Sequence, residues 1–351
     1  MDFGVQFFPN ISPEDKSGAQ YFGECLNLCD LLDEYGYTHV RIVEHYFHTY
    51  GGYSPNPIVF LAAAAQRAKK ARVITGAVLP VFNNPLKLAG EIGMLDGISN
   101  GRLEVGLARA FIPREFEVFK VSLDESVARF DEGVDQIIRL LTEENVTSDG
   151  QFHSFENVTS YPRPTQKPHP KLWSASVATE ASFEKAGRNG MWIMGIPIAG
   201  GKMRELLDIY RDAWKAAGHP GQGRVMLAFF MFCHEDHDEA LRIARPHVDN
   251  YFVSLCDAAS GWTTGSTSND YAHYDKIIET LRKENLDTQI EKSSAWVGTP
   301  KELIEMIEDY NDQVGGFDDG SLQVNFTTLP PDEAERSLRL FGDKVIPHFS
   351  Q

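Results

Sequence analysis

The chain has 351 residues, 42% of them apolar and 24% charged, enough to bury a large core in two average domains or in one α/β barrel. Acidic residues number 50 against 33 basic ones, a net charge of −17 that argues against nucleic acid and anionic membranes as partners. Four cysteines make no disulfide framework, and the start MDFGVQFFPN lacks a signal peptide's basic and apolar stretches, so a cytoplasmic location is expected.

Short apolar runs alternate with amphipathic segments along the whole chain. Asp2–Phe8 reads as a strand, and the helix over about Gly18–Tyr35 carries Tyr21, Cys25, Leu28 and Leu32 on one stripe before Gly36. Thr38–Glu44 is the second strand, followed by a helix over Pro57–Ala68 with proline in its first turn. Arg72–Leu79 is the third, with Leu88, Ile92 and Leu95 at helical spacing behind it. Leu103–Ala108 is the fourth, followed by the helix Ser126–Leu141. In the second half, Lys171–Ser176, Met191–Ile196, Arg224–Cys233 and Ser321–Phe326 are strands. The helices after the first three of these run over about Thr179–Arg188, Lys202–Ala217 and Asp238–Tyr251, and a helix through Leu338–Phe341 follows the fourth.

Eight such strand and helix pairs predict an α/β fold, a closed (β/α)₈ TIM barrel forming one domain over residues 1–351. An open doubly wound sheet is the alternative, but the first strand–helix junction, QFFPNISPED, has no glycine fingerprint. Residues 144–170 form a long connection with a hairpin expected around Asp149-Gly150. Between strands seven and eight lies an insertion whose later part opens a helix with the capping box Thr299-Pro300-Lys301-Glu302. Its stretch DAASGWTTGSTSND, residues 257–270, is too polar to pack a core, so a mobile loop is expected at about 256–275. Placed after a barrel strand, it belongs to the face that carries the site, as a lid or as a plain connection.

The strand ends supply the candidate chemistry. His45, in Glu44-His45-Tyr46-Phe47, is a candidate acid–base group or a packed histidine. Glu44 and His45 both face the axis only if the strand has broken there. No cluster at ligand spacing supports a metal, and in His234–Asp238 the residue Asp236 reads as a helix cap. Arg109, ending the fourth strand, is an anion binder or a salt-bridge partner. Arg129 in the next helix and the Ala178-Thr179…Ser182 helix start together suit a phosphate.

In this order the motifs resemble one family. Glu44-His45-Tyr46-Phe47, Asn56-Pro57, Thr75–Pro80, Asn84-Pro85, Ser99–Arg102 and Gly106–Arg109 are similar to the luciferase-like flavin monooxygenases, closest to the luciferase alpha-subunit branch. Ser126…Arg129-Phe130, Ala178–Ser182, Val297–Pro300 and Leu338–Phe341 continue the series over nearly the whole chain. The resemblance implies a barrel that takes reduced FMN from a separate flavin reductase and reacts it with O₂ to a flavin 4a-hydroperoxide, which oxidises a small organic or carrier-bound substrate. It implies His45 as the catalytic histidine, Arg109, Arg129, Thr179 and Ser182 around the FMN phosphate, and Ala178 as a further cofactor-binding position. Ala77 falls behind the flavin ring beside a non-proline cis peptide, and Ala108 stands where luciferase has its reactive cysteine. Tyr46 replaces a second histidine. These departures point away from light emission. The resemblance further implies a homodimer through the second and third helices. A deazaflavin-dependent oxidoreductase on the same barrel, a non-catalytic flavin-binding or partner subunit, and a metal-dependent barrel hydrolase are the alternatives.

Overall fold

Eight parallel strands close into a barrel in the computed structural model, which describes residues 1–177, 179–197 and 200–350. They are β1 (Asp2–Phe7), β2 (His39–Ile42), β3 (Arg72–Val78), β4 (Leu103–Leu107), β5 (Lys171–Ala175), β6 (Trp192–Gly195), β7 (Val225–Cys233) and β8 (Asp319–Gln323). Each pairs with its neighbours in chain order, and β8 pairs with β1, as predicted for a TIM barrel. A further strand, Ala295–Gly298, pairs with the upper half of β7 and raises the barrel wall there. The strands read as unbroken apolar runs because helices cover their outer side while packed side chains fill the inner one.

Around the barrel run α1 (Gly18–Cys29), α2 (Pro57–Arg67), α3 (Pro85–Ile98), α4 (Pro113–Phe119), α5 (Ser126–Thr142), α6 (Glu180–Arg188) and α7 (Gly200–Ala216). The second half adds α8 (His237–Ala258), α9 (Gly261–Thr264), α10 (Tyr274–Leu281), α11 (Leu286–Glu291), α12 (Pro300–Val314) and α13 (Pro331–Lys344). Local chemistry sets their starts. Asn56 accepts from the Ile58 amide at 3.0 Å with Pro57 at the first helical position, and Asn84 with Pro85 repeats the device on α3. The predicted capping box opens α12, where Glu302 accepts from the Thr299 amide at 2.8 Å, and Asp236 caps α8. The hairpin also forms, from Val146–Asp149 and Ser154–Val158.

Two boundaries differ from expectation. Helix α1 stops at Cys29, six residues early, and the chain reaches Gly36 (φ 77°) through turns. The larger correction concerns residues 257–270. Helix α8 runs on through Ala258, α9 follows, and Ala258, Ala259, Trp262 and Tyr271 are buried. That window is poor in apolar residues, but it packs with Cys256 and Ile278 from its own flanks. It also packs with Leu79, Val81, Ala110 and Phe116 from the barrel loops. Trp262 Nε1 donates to the Phe111 carbonyl at 2.8 Å and Tyr271 Oη to that of Ala110 at 2.9 Å. The insertion therefore sits docked on the C-terminal face.

The barrel's interior changes character from bottom to top. At the N-terminal end Asp319, fully buried, accepts from Arg72 at 2.6 Å and from Arg224 at 2.5 Å. Glu104 pairs with Arg72 at 3.2 Å and accepts from Trp173 Nε1 at 2.9 Å, and Asp2 holds Arg224. Above this layer Ile74, Ala77, Trp173, Met194 and Met226 pack with Ala108 and Ala175.

Candidate functional site

Strand β2 ends at Ile42, so the two residues that a continued strand would send to opposite sides are free to turn separately. Glu44 turns toward the loop after β3. Its carboxylate accepts from the Leu79 amide (3.1 Å), from Asn83 Nδ2 (2.8 Å) and from Tyr46 Oη (2.5 Å). Burial pushes the Glu44 carboxyl up to about 7, against the pull of those three donors.

His45 turns to the mouth. Its amide donates to the Ser54 carbonyl at 3.1 Å, and the returning loop presses Gly51 onto the ring. A Cβ there would lie 2.6 Å from His45 Cδ2, so only glycine (φ 78°) fits. The imidazole Nδ1 lies 3.1 Å from Glu115 Oε1, and the same oxygen accepts from the Tyr46 amide at 2.9 Å. Because a carboxylate only accepts, the ring proton sits on Nδ1 and the Nε2 lone pair is left for the mouth. Glu115 is wholly buried, in the first turn of α4 behind Pro113, and its Oε2 has no partner. Phe8, Tyr50 and Phe111 surround the imidazole at ring distances of 5.3–6.0 Å, and Tyr50 Oη lies 2.9 Å from Tyr251 Oη of α8.

The other predicted positions fall into two groups. Ala77 and Ala108 share one packed cluster at the β3–β5 side, and the Gly76–Ala77 peptide is cis. Arg109 Nη1 donates to Ser126 Oγ and to the Asp270 carbonyl, both at 3.2 Å, and the guanidinium lies 4.8 Å from the Tyr271 ring centre. The Asp270 carboxylate in turn accepts from Ser126 Oγ (3.2 Å) and the Val127 amide (3.1 Å), so the insertion supplies an anion to the start of α5. Arg129 is apart from Arg109: it pairs with Glu125 at 2.9 Å and covers the Phe152 ring at 4.2 Å. Thr179 and Ser182 sit at the start of α6, where Thr179 Oγ1 donates to Ser182 Oγ at 2.6 Å and no side chain caps the helix. The Lys185–Asp131 ion pair, at 2.5 Å, ties α6 to α5 one turn beyond these residues. Ala178 lies outside the described residues.

Sequence reasoning named His45 but missed Glu115, which lies 70 positions away. The signal was weak: an acid one residue past Pro113-Arg114, in the first turn of a short helix. Among the described residues no group of three or more His, Cys, Asp or Glu is arranged to hold a metal ion. No described helix is long and apolar enough to cross a membrane.

A barrel with an acid-backed histidine at its mouth and a docked insertion after the seventh strand has the layout of an enzyme site at the C-terminal face. The model of the luciferase-like monooxygenase family matches residues 1–315, and the chain belongs to that family. The oxygenase component of a flavin-dependent trigonelline monooxygenase from Acinetobacter baylyi is 27% identical over 350 residues, 96% of this chain and 92% of that one. The crystal structure of the monooxygenase RslO1 from Streptomyces bottropensis is 42% identical, covers all of both chains and superposes with a TM-score of 0.89. The oxygenating constituent of a Pseudomonas putida 3,6-diketocamphane monooxygenase, solved with FMN, shares the fold at 20% identity (TM-score 0.82, 99% and 98% covered). An F420-dependent glucose-6-phosphate dehydrogenase of Intrasporangium calvum is 28% identical over 345 residues, 95% of this chain and 97% of that one.

Proposed function

We propose that this protein is the oxygenase component of a two-component system, non-luminescent and cytoplasmic. It would take reduced FMN from a separate flavin reductase and use O₂ to oxidise a small organic or carrier-bound substrate. The observation that carries this reading is the His45–Glu115 pair, held at the mouth beneath a docked insertion in a chain of this family.

The residues present suit the flavin. On one side, the small side chains Ala77, Ala108 and Ala175, backed by Trp173, Met194 and Met226, suit a flat ring. On the other, α6 starts with two hydroxyls and no side-chain cap, leaving its first amides for a phosphate together with Arg129 and Arg109. The donors at the start of α5 already hold a carboxylate from Asp270, which attests their taste for anions. When bound, reduced FMN supplies the two electrons and the activation of O₂. The chain does the rest. His45, its tautomer set by Glu115, takes or returns a proton at Nε2. The insertion keeps water from the mouth while that transfer occurs. A second copy would pack across α2 and α3, where Val59, Met94 and Ile98 stand exposed.

The test is oxygen uptake with chemically reduced FMN across aldehydes, ketones, aromatic acids and carrier-bound acyl groups, with peroxide measured in parallel. Arg109→Ala is expected to weaken reduced-FMN binding by about ten- to hundredfold, the worth of a charge-assisted contact of about 1.5–3 kcal/mol, with turnover at saturation preserved. His45→Ala does the reverse, lowering turnover by about 10²–10⁴ with flavin affinity intact. Unchanged affinity and turnover in both variants would refute the site. Reduced-cofactor consumption under strict anaerobiosis would replace the oxygenase with an F420-type dehydrogenase.

A further inference from the structure

Beneath the mouth, the barrel holds a charge with nothing to neutralise it. Arg41 lies midway along β2, in register with Gln6 of β1 and Ile74 of β3, and Gln6 is in register with Gln323 of β8. Ile74 belongs to the interior cluster, so its register partner Arg41 projects inward too. The side chain crosses Gly76, where a Cβ would stand 2.7 Å from its Nε. Arg41 is 6% exposed, and its side chain makes one hydrogen bond, from Nη1 to Met226 Sδ at 3.3 Å. Among the described residues Nε has no partner, and no carboxylate forms an ion pair with the guanidinium. Gln6 Oε1, Ser321 Oγ and Gln323 Nε2, from the two adjoining strands, are likewise buried and unpaired.

An unpaired buried guanidinium is among the most unfavourable groups a core can hold, unless a ligand completes it. Burial lowers its pKa only to about 10, so it is a cation at neutral pH. Arg72 and Arg224, nearer the closed end of the barrel, are each matched by carboxylates. Arg41 is the exception to that rule, and it lies on β2 four residues before His45, which follows the strand's end at Ile42. A line of rings joins the two: Phe230, in register with Gln323, lies 4.9 Å from Tyr251, Tyr251 lies 5.2 Å from Phe8, and Phe8 lies 5.7 Å from His45, centre to centre.

We propose that the barrel floor is a carboxylate subsite, so that the substrate is an apolar acid anchored by Arg41, with the unpaired Gln323 Nε2 donating a further hydrogen bond to it. The apolar body then lies along Phe8, Phe230 and Tyr251 and presents its far end to His45. A net charge of −17 repels anions in general, so an acid reaches this site through the buried guanidinium rather than through the long-range field. This assignment deepens the oxygenase reading and rests on it for the place of reaction.

The test uses the full-length protein without flavin and the probes 2-naphthoate and its methyl ester, with affinities measured by calorimetry. Wild type is expected to bind the acid at least tenfold more tightly than the ester. Arg41→Met should weaken the acid by about ten- to hundredfold and leave the ester unchanged, while Arg41→Lys keeps part of the preference. Reduced-FMN affinity, measured anaerobically, should stay within twofold in Arg41→Met. Equal binding of acid and ester by wild type overturns the subsite even if the methionine variant fails to fold. So does an Arg41→Met variant that keeps the acid preference. Loss of reduced-FMN affinity in that variant, with the acid preference intact, would assign the guanidinium to the flavin's own anionic ring. Acid preference without oxygen uptake would leave the subsite standing and remove the oxygenase reading, and the converse result would remove only the subsite.

Discussion

The two ends of the barrel treat buried charge in opposite ways. At the N-terminal end Asp319 lies between Arg72 and Arg224, and Glu104 and Asp2 complete the set, so each guanidinium there meets a carboxylate. From the middle of the barrel up to its C-terminal mouth, and among the described residues, Arg41 lacks a carboxylate, Glu115 keeps one oxygen unpaired, and Gln6 and Gln323 hold orphaned atoms. Paired guanidiniums mark the end that holds the fold together. Their absence marks the end that meets a ligand.

The sharpest way to break this contrast is at Asp319. Replacing it by alanine leaves Arg72 only Glu104 and Asp2 and Arg224 only Asp2 at the N-terminal end, and should destabilise the fold by about 3 kcal/mol, read from urea unfolding. The folded fraction should keep its flavin affinity and KM. Altered affinity at unchanged stability would mean that the two ends are not separate in role.

A smaller effect is expected from Glu44, whose carboxyl is raised to about 7 by burial. Between about pH 5 and 7 the folded protein retains a proton that the unfolded chain has lost. Stability must therefore fall as pH rises through that window, by about 2–3 kcal/mol at most, and Glu44→Gln should flatten the slope. Denaturation midpoints from pH 5 to 8 decide the point, and parallel slopes for the two proteins would show that Glu44 does not titrate there.

The smallest effect belongs to the docked insertion. Asp270→Ala removes its anchor on Ser126 and Val127, contacts worth about 1 kcal/mol each. Peroxide released per O₂ consumed should rise about three- to tenfold. Unchanged coupling would mean that the insertion excludes water by its aromatic packing alone.

Much of the fold was legible because its signals are local. Runs such as RVITGAVL and LEVGLA, each followed by an amphipathic helix, mark strands buried on both faces, and Thr299 to Glu302 mark a helix start within four residues. His45 and Arg109 were visible as strand-end residues. Glu115 and Arg41 were not, since one acquires meaning from a partner 70 positions away and the other from partners it lacks. The order of residues 257–270 was hidden for a related reason: what they pack against comes from Leu79, Ala110 and Phe116, far off in the chain.

The strand Ala295–Gly298 has a consequence for how the insertion is built. It fastens the returning chain to β7, as α8 fastens the departing one, so the segment between is a cassette clipped at both ends to one staple of the wall. Such a cassette is open to exchange: its interior can be rewritten, lengthened or swapped with a cousin's while the eight-stranded frame keeps its register.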